Sequence, residues 1–292
     1  MGPIEVPSIS GSRYVLLFVD DRSRFKHSFI LKKKSEAFGC FTVDKALVER
    51  ETGRRIGKLR TDGGGEYTLS EFLTYLHEEG IVKHTTTPHT PQSNGVSEWA
   101  NRMIIETAKA MMFAAGALKE YWAEAITMAV YLRNLTPTRS IKEGSPFEAW
   151  HGRWQNLAHL RVWGCIAYTR VPKETRRKLD ANLPKCVFVG YTATTKQYNL
   201  YDHVNKKVTL SRDVEFKERR SYFRLQYPET APSGRVFYYV PCERVAKVAP
   251  PKAAGPTHQT QVPVEMAVRC LRLPHRELQG MWSFRQGHWS GL

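Results

Sequence analysis

The stretch Arg60-Thr61-Asp62-Gly63-Gly64-Gly65-Glu66-Tyr67 (RTDGGGEY) places an acid where a strand ends and then strips three positions of side chains. The residues before it, Ile56-Gly57-Lys58-Leu59, alternate apolar with small or polar, as a half-buried strand does. Two readings are open. Asp-Gly is a turn signal, because glycine tolerates positive φ at no steric cost. Alternatively, Asp62 faces a cleft in which a metal ion or a phosphate must approach the backbone closely. In an open α/β sheet ligands gather beyond the carboxyl ends of strands, which is where Asp62 falls.

Upstream, RYVLLFVD (13–20) and FKHSFILK (25–32) read as two strands joined by a short turn, an antiparallel hairpin. Ser35 to Gly53 has helical periodicity, with Phe38, Phe41, Leu47 and Val48 as its apolar face and Gly53 as its stop. Downstream of Asp62 come a short helix (SEFLTYLHEEG), a short strand (IVKHTTT) and the proline-broken loop TPHTPQS. Long helices follow over about 94–115 and 119–135. Strands first, then alternating helices and strands, predict a mixed α/β sheet. TPTRSIKEGSPFEAWHGR reads as a link to a region of short strands, in which Asp202-His203-Val204-Asn205 turns a hairpin: a small β-barrel or sandwich. Beyond about residue 226 the pattern dissolves into linker and an irregular tail.

Charge divides along the same lines. The formal net charge is +16, and residues 1–150 are nearly neutral, with 20 Lys+Arg against 18 Asp+Glu. Residues 151–225 carry 16 against 6. A catalytic module joined to a nucleic-acid clamp would look like this, as would a basic surface with no partner. The expected division is 1–150, 151–225 and 226–292. Five cysteines without a CxxC pair point to a reducing compartment rather than a disulfide framework. No stretch of about 18 apolar residues spans a membrane, and Met1-Gly2-Pro3 opens neither a signal nor a transit peptide.

Glu98, in SNGVSEWANR, follows Asp62 after 35 intervening residues and stacks with Asn94 and Arg102 on one helical face. An ordinary Glu–Arg surface pair is the plain reading. LRTDGGGEY together with TPHTPQSNGVSEWANR, however, resembles the core of copia-type retrotransposon integrases, which belong to the ribonuclease-H-like polynucleotidyl transferases. RYVLLFVDDRSRF, SPFEAWHGRWQNLAHLRVWGCIAY and KCVFVGYTATTKQYNLYDHVNKKVTLSRDVEF extend the resemblance over about residues 2–218.

The resemblance implies a ribonuclease-H-like mixed sheet, then a small barrel of Src-homology type. It also implies DNA integration by 3′-end processing and strand transfer, with Mg²⁺ or Mn²⁺ held by Asp62 and Glu98. Gln92, Asn94 and Arg102 would line the DNA approach, and Arg176, Arg177 and Lys178 would add contacts from the basic module. Partners would be element ends, target DNA and further copies of the chain, in the nucleus and in cytoplasmic element particles. Trp99 departs from the family, whose members usually carry a basic residue there.

The family's first catalytic Asp precedes a Gly-Pro that here is Gly2-Pro3, with only Met1 before it. The expectation is therefore a missing first acid and a largely missing first strand, with neighbouring strands unpaired and the core half open. Asp20 and Asp21 are tempting substitutes for that acid, but they lie at the far end of the following strand. An inactive integrase and a non-catalytic DNA-binding remnant are both open on this reading.

Overall fold

The computed structural model describes residues 3–61, 70–85, 95–141, 144–169, 184–192, 197–226 and, as backbone, 264–270. Strand β1 (Tyr14–Asp20) is buried along almost its whole length. Its alternation serves two cores at once. Val15, Leu17 and Val19 face one cluster, while Leu16 and Phe18 face another. A strand buried on both faces belongs inside a layered α/β sheet, and its continuous apolar run reflects this.

Strand β2 (Lys26–Leu31) pairs antiparallel with β1, as the hairpin reading requires. Helix α1 (Ala37–Thr52) stops at Gly53, which adopts φ 65° and donates its N–H to the Glu49 carbonyl. Strand β3 (Ile56–Thr61) follows, then helix α2 (Ser70–Glu78) and strand β4 (Val82–Thr85), which runs parallel to β3. Leu16, Phe18, Phe41, Val48, Leu59, Phe72 and Leu76 fill the core on this face.

The face of α1 differs from the expected one at Leu47, which is 48% exposed. Asp44 and Lys45 are buried instead, because each finds a partner. Asp44 Oδ1 lies 2.5 Å from His27 Nδ1, and Lys45 Nζ reaches Glu49 at 2.9 Å and Glu79 at 3.0 Å. A paired charge can take a core position that apolar periodicity assigns to a leucine.

The half-open core expected from a missing first strand does not occur. Strand β10 (Val264–Cys270), from the segment read as irregular tail, lies between β1 and β3. The sheet order is β2-β1-β10-β3-β4, with β10 antiparallel to β1 and parallel to β3. This is a ribonuclease-H-like mixed sheet whose central strand comes from the other end of the chain.

On the opposite face lie helices α3 (Gly95–Ala115) and α4 (Trp122–Leu135), the latter entered through a 3₁₀ turn at Lys119–Tyr121. Asn134 of α4 clamps the start of β2. Its Oδ1 accepts from Lys26 N–H at 3.0 Å, and its Nδ2 donates to the Lys26 carbonyl at 2.8 Å. Within the segment read as a link, helix α5 (Pro146–His151) forms on a capping box: Ser145 Oγ accepts from Glu148 N–H and Glu148 accepts from Ser145 N–H.

The second sheet is five-stranded and antiparallel, in the order β8-β7-β6-β5-β9. Its strands are β5 (Cys165–Thr169), β6 (Lys185–Tyr191), β7 (Tyr198–Asp202), β8 (Lys207–Ser211) and β9 (Val214–Ser221), and a short helix α6 (Tyr222–Gln226) follows. The β7–β8 turn is built as its sequence predicts, with Asp202 Oδ1 accepting from Val204 and Asn205 N–H at 2.9 and 3.1 Å. One continuous core joins this sheet to the first through α3 and α4, with Phe188, Phe223 and Trp163 packed beside Tyr121 and Ile126. At the joint Gly164 has φ 77°, and a Cβ there would sit 2.7 Å from the Ala115 Cβ at the end of α3.

Two outcomes follow from the α4 clamp. Asn134→Ala leaves a buried N–H and a buried C=O without partners, and chemical denaturation should register a loss on the order of 2–4 kcal/mol. Lys26, buried against the same helix, has its pKa lowered to about 8 by burial first and then by the Arg133 and Arg24 charges. The unfolded chain therefore holds more protons between about pH 8 and pH 10.5, so stability gains over that window as pH rises. Measured against pH, the stability of the wild type relative to Lys26→Met should climb across that interval and be flat below it.

Candidate carboxylate site and basic sheet

Strand β3 ends at Thr61, one residue before Asp62, and Thr61 is buried. Helix α3 begins at Gly95 and carries Glu98 in its first turn, half-buried, where the partial positive charge of the helix start favours a carboxylate. Arg102 lies one turn on and is exposed. Trp99, between them in sequence, is 48% exposed and points away from the buried side of α3 formed by Ser97, Ala100, Asn101 and Ile104. Asp62, Gln92, Asn94, Arg176, Arg177 and Lys178 lie outside the described residues. Among the described residues no three His, Cys, Asp or Glu side chains gather to hold a metal ion.

The register places the acids of β1 away from this edge. Asp20 pairs with Met266, which pairs in turn with Leu59, so Asp20 lies level with Leu59 rather than at the end of β3. Its carboxylate is also committed: Oδ2 accepts from Ser23 N–H at 2.6 Å and Ser23 Oγ at 2.5 Å, closing the hairpin turn. Asp21 pairs with Arg24 at 2.7 Å across the same turn. Beyond Ala267, which lies beside Arg60, β10 continues toward the Asp62 edge as Val268-Arg269-Cys270, without an acid.

Carboxylate oxygens suit a hard cation such as Mg²⁺, which keeps several waters of its own. The carboxylates of Asp62 and Glu98 are donors of the kind such an ion takes. A pair of ions would need a further acid at this edge, and the central strand offers none there.

The basic character of the second sheet lies partly on residues that sequence reasoning passed over. Lys206, Lys207, Arg212, Lys217, Arg219 and Arg220 are all exposed, on the β7–β8 and β8–β9 turns, on β8 and along β9. β9 is an edge strand on which half-buried Val214 and Phe216 alternate with exposed Glu215 and Lys217, which pair with each other. Alternation of period two was the signal available for it. Within the sheet the thiols are inert: burial pushes Cys165 up to about 12 and Cys186 up to about 11, and both are free. Among the described residues no helix is long and apolar enough to cross a membrane.

The contrast between the two kinds of acid is measurable. Asp20→Asn should cost about 1–3 kcal/mol in thermal or denaturant unfolding, because a doubly bonded turn carboxylate is lost. The same substitution should leave divalent-ion binding unchanged, which titration calorimetry with Mn²⁺ would report.

Residues 165–229 match the retroviral polymerase SH3-like domain. Over 217 residues, 74% of this chain, the sequence is 44% identical to the retrovirus-related Pol polyprotein from transposon TNT 1-94 of Nicotiana tabacum. It is 37% identical over 212 residues to the corresponding polyprotein from transposon RE2 of Arabidopsis thaliana. The chain spans only 16% and 14% of the lengths of these two relatives. Among solved structures it is similar to a simian T-cell lymphotropic virus intasome in complex with PP2A regulatory subunit B56 gamma. That match has 17% identity over 64% of this chain and 70% of the other, at a TM-score of 0.41. It is also similar to the HTLV-2 integrase catalytic core domain in complex with magnesium, at 20% identity over 49% and 89%, with a TM-score of 0.38. Over the matched residues its homologues are thus plant retrovirus-related Pol polyproteins from copia-type transposons.

Proposed function

We propose that this chain is an integrase-family polynucleotidyl transferase core, divided as 1–150 and 151–225, that engages DNA without joining it. The reading of the site rests on Asp62 directly after β3 and Glu98 in the first turn of α3, on elements that share one sheet and its covering helix. In the active form of such a site a Mg²⁺ or Mn²⁺ ion, when bound, would supply Lewis acidity toward an attacking water or 3′-hydroxyl and a leaving oxygen. Here Asp62 and Glu98 would hold that ion, while Gln92, Asn94 and Arg102 would line the DNA approach.

One observation favours the non-catalytic reading over end processing and strand transfer. The strand paired between β1 and β3 carries Arg269 and Cys270, not an acid, at the end nearest Asp62. With one ligand fewer, a site of this kind loses several kcal/mol of transition-state stabilisation. Affinity then comes from the basic sheet, through Arg176, Arg177 and Lys178 and the exposed lysines and arginines of β8 and β9. Element ends and target DNA are the proposed partners, bound by more than one copy of the chain in the nucleus.

The full chain should bind short duplex DNA with little sequence preference and a steep salt dependence. Replacing Arg176, Arg177 and Lys178 with alanine should flatten the log–log salt slope by about 2–3. Incubation with Mg²⁺ or Mn²⁺ and a recessed-end duplex should yield no joining above that of Asp62→Ala. Joining that Asp62→Ala and Glu98→Ala both abolish would overturn the non-catalytic reading, and salt-insensitive binding would overturn the DNA-clamp role.

A further inference from the structure

The gap between β1 and β3 is bordered by two ladders of opposite sense. β1 runs antiparallel to whatever lies in the gap, with Leu16 to Asp20 in register, and β3 runs parallel to it from Ile56 to Arg60. The two bordering strands are close in sequence, but their occupant is not. It arrives from beyond residues 227–263, a connection on the order of 120 Å long when extended. Such a connection neither forces the pairing nor fixes its register. The register must come from the slot itself, through hydrogen bonds on both edges and burial on both faces.

We propose that this gap is a strand-accepting slot which the chain fills from its own carboxy-terminal part. Occupancy by Val264–Cys270 closes the core and, at the same time, shuts out any acid-bearing strand. Two strands cannot share one position between β1 and β3, so the segment that completes the fold also blocks the Asp62–Glu98 edge. This rests on the reading of that edge given above. Arg269 marks the blocked position: it is the register partner of Leu17, and it lies two residues beyond Ala267, the partner of Arg60. A basic residue, not an acid, thus occupies the strand two positions past the partner of Arg60. The self-supplied strand has a kinetic advantage as well, because a tether keeps its effective concentration near the millimolar range against any competitor in solution.

Hydrogen–deuterium exchange on the unaltered full chain is the first test. Amides of 264–270 should be protected to within about tenfold of those in β1 and β3, since all three open together. Exchange of 264–270 at free-peptide rates, with β1 and β3 protected, would overturn the proposal.

Leu16 and Cys270 are register partners, and neighbours across an antiparallel pair lie about 4.5–5.5 Å apart at Cα, within disulfide reach. Mild oxidation of Leu16→Cys should therefore give a link to Cys270 within one chain, found by peptide mapping and absent when Cys270→Ser is added. A link between two chains would show that the strand is exchanged between copies and would overturn self-supply.

A third variant separates the slot from the chemistry. Arg269→Asp returns an acid to the strand and should raise Tm by about 4 °C or more in millimolar Mn²⁺, a shift lost on adding Asp62→Ala. If exchange and cross-linking place the strand as described but Arg269→Asp gains no Mn²⁺ shift, the slot stands and the Asp62–Glu98 reading falls.

Discussion

Backbone hydrogen bonding along the inner edges of β1 and β3 is the constraint on which the rest of this structure depends. β1 is buried on both faces, so its unpaired N–H and C=O groups have no water to turn to. Leaving one edge bare would cost several buried hydrogen bonds, each worth on the order of 1–3 kcal/mol when left unmade. A domain with a net stability of about 5–15 kcal/mol does not survive that. Any sequence able to lie extended between the two edges is therefore strongly favoured there, and Val264–Cys270 is the segment that does so.

The same economy of partners explains the polar residues of the interior. Asp44 is fully buried beside His27. Burial alone would lower the His27 pKa, but the Asp44 hydrogen bond and charge, with the Glu51 charge, outweigh it and hold the pKa above the ordinary value. Trp150 of α5 donates to Glu51 at 3.2 Å and stacks on Phe25 at 5.2 Å between centroids, which draws α5 onto the hairpin. Polar and aromatic contacts thus fasten the peripheral pieces to a sheet whose own cohesion is apolar.

Much of this was legible in the sequence, wherever the deciding contacts were local. The hairpin, the stop at Gly53, the strand before Asp62, both long helices and the Asp202 turn each rest on periodicity or turn chemistry within a few residues. α5 was legible too, since Ser145-Pro146-Phe147-Glu148 is a start signal, but it was read as linker. Leu47 misled because apolar spacing cannot say which charges will find partners, and Asp44 and Lys45 found theirs. β10 was not legible: VEMAVRC is short, and what makes it a strand is a pair of edges formed more than two hundred residues earlier. For the carboxylate edge, spacing picks out Glu98 as a helix-start acid, whereas the commitment of Asp20 to its own turn shows only in the folded chain.

Gly164 has a bearing on length. It lets the end of α3 touch the second sheet directly, and Ser221 Oγ donates to the Ala115 carbonyl at 2.5 Å across the same joint. Because α3 is anchored there, and Glu98 sits near its other end, the helix acts as a measuring rod between the two parts. At 1.5 Å per residue that rod is about 25 Å long, against roughly 34 Å for one turn of duplex DNA. A duplex lying along α3 and touching both the acid and the sheet would meet them about three-quarters of a turn apart, on different sides of its circumference. For a duplex so placed, the spacing between its two contacts would be set by the number of residues in a single helix.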